Sequence, residues 1–65
     1  MSDRENYIAK AKARIDQWNA EIDRLEAKAR EADADARLAY GRQIEEMRSQ
    51  RDTAQEKLAE LRQAD

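Results

Sequence analysis

The sequence has no cysteine, no proline, no histidine and no phenylalanine, and a single glycine, Gly41. Each absence removes a class of protein. Without cysteine there is no disulfide framework and no thiolate chemistry, and the redox compartment stays undetermined. Without histidine or cysteine, metal ligation falls back on carboxylates, which suits only weak Ca²⁺ or Mg²⁺ contacts. Ser2, Ser49 and Thr53 have no imidazole to activate them as nucleophiles. No run approaches the roughly 18 apolar residues of a membrane span, and "MSDRENYIAK" has no apolar core of a secretory signal. A cytoplasmic protein is the default expectation.

What is present is charge. Charged residues make up 43% of the 65 positions, 13 basic against 15 acidic, finely interleaved. A nucleic-acid binder needs a basic face, so the mixture argues against one. Dominance of Ala, Glu, Asp, Arg, Lys and Leu is the composition of a long helix or coiled coil. A chain this short forms one domain, 1–65, and buries little core alone.

The apolar positions follow a heptad. Ile8, Ala11, Ile15, Trp18, Ile22, Leu25, Ala29, Ala32 and Ala36 step by three and four, and Ile44, Met47, Arg51, Ala54, Leu58 and Leu61 do the same. This is an a/d seam, with Arg51 its charged break. The two series are out of phase by one residue, and steps of four through Ala36, Tyr40 and Ile44 absorb the slip, a discontinuity that changes a supercoil without breaking a helix. These residues, Tyr40 included, are the expected oligomer interface. Trp18 reads as core packing, or as a partner hot spot. Arg51 sets register or extends to solvent. Glu26–Arg30, Asp33–Arg37, Glu21–Arg24 and Glu45–Arg48 are spaced as helix ion pairs, each contributing about 0.2–0.5 kcal/mol.

Ser2 with Glu5 fits a capping box, and Asp3 and Glu5 put negative charge at the positive end of the helix dipole. In "EADADARLAYG", Glu31 to Gly41, alanines, Leu38 and Arg37 favour helix, while Asp33 and Asp35 are mildly adverse. Gly41 costs about 1 kcal/mol in a helix interior, and the Gly, Asn, Ser or Pro cluster of a tight turn is missing. The expectation is therefore one helix from Asp3 to about Gln63, roughly 90 Å long, forming an antiparallel homo-oligomeric coiled coil. Pairing Ile15 with Leu61, Trp18 with Leu58, Ile22 with Ala54, Leu25 with Arg51, Ala29 with Met47, Ala32 with Ile44 and Ala36 with Tyr40 sets small residues against large ones. The same pairing fits a helical hairpin turning near Leu38 and dimerising into a four-helix bundle.

A lone helix cannot bury such a stripe. Ordering costs about 1.5 kcal/mol per residue, while full burial of a Leu or Ile returns only about 1.5–3 kcal/mol. The expected partner is a second copy of the chain, with folding coupled to self-association. The expected function is that of a non-enzymatic, self-associating structural or interaction protein, with no catalytic, cofactor or metal site. The rival is an amphipathic helix that binds a lipid surface or a partner helix, although the stripe is narrow and the polar face not notably basic.

"YIAKAKARIDQWNAEIDRLEAKA" (Tyr7 to Ala29) and "RDTAQEKLAEL" (Arg51 to Leu61) resemble small bacterial coiled-coil proteins, sometimes described as stress-response proteins. The resemblance covers nearly the whole chain, with "IDQWNAEIDRLEAKA" its most specific part. It implies an all-α coiled coil, no catalytic residues and no established mechanism, with the stress-response description extending only to some of these proteins. Proteins of this kind often continue into a further Trp-containing amphipathic segment, which this sequence, ending at Asp65, does not include.

Overall fold

The computed structural model describes residues 3–63, and Ser2 of the expected capping box lies outside them. Two helices account for the described chain: α1, Asp3–Glu31, and α2, Ala34–Gln63. Both are built from strong helix formers. Their charges follow the helix dipole: Asp3 and Glu5 begin α1 and Lys28 and Arg30 end it, while Asp35 begins α2 and Arg62 ends it.

The chain folds back. The expected unbroken helix is interrupted at Ala32 and Asp33, and the turn falls there rather than near Leu38. Asp33 explains the interruption, because Asp is among the best N-cap residues. The Asp33 carboxylate accepts a hydrogen bond from the Ala36 amide at 2.9 Å. Its carbonyl accepts the first bond of the new helix, from the Arg37 amide at 2.8 Å. On the other side, the Ala32 amide donates to the Ala29 carbonyl at 3.3 Å in a final tight turn. Arg37 then reaches back. Its guanidinium donates to the Ala29 and Ala32 carbonyls, both at 3.2 Å, supplying the end of α1 with partners that a helix terminus lacks. Among the described residues none has positive φ, so the turn needs no glycine.

Turning at Asp33 resets the register. The helices lie side by side in opposite directions, with Arg4 Nε donating to the Leu61 carbonyl at 3.0 Å at the open end. Ile44 joins Ile22 and Leu25 in one buried cluster, and Ala29, Tyr40 and Met47 pack against it. Ile44 therefore meets Ile22 and Leu25, where the expected pairing gave it Ala32 and gave those two Ala54 and Arg51. Nearer the open end, the buried Ile15 and Leu58 share the wall of a small hollow of about 260 Å³. The body measures 49 × 16 × 11 Å, one layer of two helices.

Candidate interaction groove

Every seam position expected from the sequence is buried or half-buried. Ile15, Ile22, Leu25, Ile44 and Leu58 are buried; Ile8, Ala11, Trp18, Ala29, Ala32, Ala36, Tyr40, Met47, Arg51, Ala54 and Leu61 are half-buried. The best-buried side chain, Ile22, keeps 3% of its surface exposed.

The two edges of the seam differ. One is closed by polar bridges. Arg51 Nη1 donates to Asn19 Oδ1 at 3.0 Å, and Arg48 Nη2 donates to Glu26 Oε1 at 2.7 Å. Arg51 also contacts Asp52 Oδ1 at 3.1 Å, so this charged seam residue lies half-buried with its guanidinium at the seam's edge. Arg48 bonds to Glu45 as well, at 3.2 Å. Its pKa is raised above the ordinary arginine value, first by the hydrogen bond to Glu26, against a smaller opposing cost of burial.

The opposite edge is a groove of about 780 Å³ near the open end. Its apolar lining comes from Tyr7, Ala11, Trp18, Ala54, Leu58 and Leu61. Lys10, Arg14 and Lys57 supply the charge, with Ser49, Gln50 and Thr53 the neutral polar groups. Arg14 lies over the Trp18 ring, 6.0 Å from its centroid, within range of a cation–π attraction. Tyr7 is 64% exposed. These residues converge because α1 offers positions 7, 10, 11, 14 and 18, spaced to share one flank of a helix, and α2 brings 50, 53, 54, 57 and 61 beside them.

Of the expected ion pairs, Glu21–Arg24 and Glu45–Arg48 form. Glu26 turns instead to Arg48 across the seam, while Asp33 and Arg37 serve the backbone at the turn. The hydrogen bond from Arg24 holds the Glu21 carboxyl below its ordinary value, and the same bond raises Arg24. Among the described residues no group of three or more acidic side chains converges in a way that could hold a metal ion. No helix there is long and apolar enough to cross a membrane.

Comparison with family models, curated proteins and solved structures finds no match to this chain. The groove was not legible as a site beforehand. The sequence alone offers Trp18 as a partner hot spot, but the gathering of Lys10, Arg14 and Lys57 depends on the α2 register.

Proposed function

We propose that the chain is a non-enzymatic helix-packing module, which completes its single-layer hairpin by taking up further helices. In isolation it self-associates, and two hairpins form a four-helix bundle. The observation that carries this reading is the thinness of the body, 11 Å in its smallest dimension. Stable domains bury their apolar faces between layers, and two helices alone leave Trp18, Tyr40 and Met47 half-open. Catalysis has little to draw on, since acid–base chemistry without histidine needs buried carboxylates, and all of the described Asp and Glu residues are exposed or half-buried. A bacterial setting and a part in stress tolerance belong to this proposal on the sequence resemblance alone, and a cytoplasmic setting as the default expectation from the sequence.

Sedimentation coupled to small-angle X-ray scattering tests it. The expected result is a mass of two chains and a maximum dimension nearer the 49 Å of the hairpin than the roughly 90 Å of an unbroken helix. Leu25→Asp is expected to reduce helicity and association together, since Leu25 is buried in the cluster that joins the two helices. A fully helical single chain at low micromolar concentration overturns the reading.

A further inference from the structure

We propose that the groove beside Trp18 is the docking site for an acidic amphipathic helix of another protein. This rests on the helix-packing reading above but gives the groove an occupant other than a second copy.

The shape fits a helix. From Tyr7 to Trp18 the α1 wall extends about 16 Å, enough for the i, i+3, i+4 and i+7 anchors of a helix lying in an apolar trough. The charge sets the sign of the partner. All charged residues in the lining are cations, Lys10, Arg14 and Lys57, although carboxylates outnumber cations in the chain as a whole, 15 to 13. A copy presenting this same patch would bring those three cations against their own kind, which electrostatic complementarity disfavours. A helix with leucines on one face and carboxylates along its flanks meets the floor with one and the rim with the other. The Arg14 guanidinium is already positioned over the Trp18 ring, beside the floor an incoming helix would cover. A flat lipid surface reaches the rim cations and the exposed Tyr7 but leaves the concave floor unfilled.

Trp18 is the only tryptophan, so its fluorescence reports on the groove without labelling. The probe is a five-turn synthetic helix without tryptophan, with a leucine face and glutamate flanks; its control carries lysine in place of every glutamate. The whole chain is titrated with each. The glutamate helix is expected to bind at least about tenfold more tightly than the control, and to weaken as salt rises from about 50 to 500 mM, where screening shortens the Debye length. Lys10→Glu with Lys57→Glu reverses the preference at unchanged helicity; the milder Lys10→Gln with Lys57→Gln, which leaves Arg14, weakens it. Equal affinity for both helices overturns the proposal. So does a fluorescence response to vesicles of three parts phosphatidylcholine to one part phosphatidylglycerol without a response to the glutamate helix, which would assign the face to lipid. Sedimentation of the protein without peptide reads self-association separately. A monomer that still prefers the glutamate helix removes the self-association reading and keeps this one; an oligomer indifferent to the helix does the reverse.

Discussion

Replacing Asp33 and Arg37 together by alanine should straighten the chain. Asp33→Ala deletes the N-cap of α2, about 1 kcal/mol. It also places the best helix former where an unbroken helix would pass, adding about 0.6 kcal/mol to the straight form. Arg37→Ala removes two bonds to the end carbonyls of α1; both are exposed, so their loss counts for at most about 1 kcal/mol. The preference for turning thus falls by about 2.5 kcal/mol per chain. A lone straight helix would still forfeit the burial of Ile15, Ile22, Leu25, Ile44 and Leu58, at about 1.5–3 kcal/mol each. Two straight helices crossing in opposite directions about position 33 recover that burial, because each half then meets the partner's other half, an exchange of identical elements. Two turns open per exchanged pair, so the variant's exchange should occur at a concentration lower by roughly three to four powers of ten. Spin labels on cysteines introduced at the exposed Ala20 and Glu45, in chains diluted into an excess of unlabelled protein so that only distances within one chain are read, report the outcome, since no native cysteine interferes. In the hairpin the labels lie across two helices packed about 8–10 Å apart, roughly 20–30 Å between labels. In a straight chain they stand about 37 Å apart along one axis. If the double variant keeps the short distance at every concentration up to millimolar, the two caps do not decide the topology and the reasoning fails.

Three further outcomes follow from the packing. Gly41→Ala should raise stability by about 1 kcal/mol in thermal denaturation, because a Cβ there meets nothing within 4 Å and the backbone is not left-handed; a fall in melting temperature contradicts this. Leu25→Ala should cost about 2–5 kcal/mol in urea unfolding, since Leu25 is in the cluster with Ile22 and Ile44, and a loss below 1 kcal/mol would show that the cluster does not hold the helices together. The Glu21 carboxyl titrates below its ordinary value of 4.5, chiefly through the Arg24 hydrogen bond. Its contribution is therefore present above the unfolded-state value and disappears as pH falls through the lowered one. Glu21→Gln should be slightly less stable than the parent at pH 7 and equal to it once acid has protonated Glu21, and denaturation curves at the two pH values check this.

The seam was readable because its period is set by the helix itself. Ile15, Ile22, Leu25, Ile44 and Leu58, five of the seam's large aliphatic residues, are the buried ones, while Ile8 and Leu61 toward the open end are half-buried. The turn was not readable from breakers, since it contains neither Gly nor Pro. Its signal is Asp33, which is adverse inside a helix because the same short carboxylate makes a strong N-cap. The one-residue slip in the heptad is a separate feature: it lies inside α2, where the half-buried Ala36 and Tyr40 and the buried Ile44 follow one another in steps of four. The groove was hidden for a different reason. Lys10 and Arg14 share a flank in any helix, but Lys57 and Leu61 join them only when the fold-back point is known.

The contact between Arg4 and the Leu61 carbonyl brings both ends of the described chain to one side of the molecule. Tension applied through those ends therefore loads the hairpin as a zipper, one facing pair at a time, starting from Arg4 and moving toward Asp33. Pulled instead between Arg4 and Asp33, the load runs along α1 itself, which lengthens only by uncoiling its own hydrogen-bonded turns while packed on α2. The same molecule should thus yield at low force in the first geometry and resist in the second, so how it is tethered sets its mechanical strength.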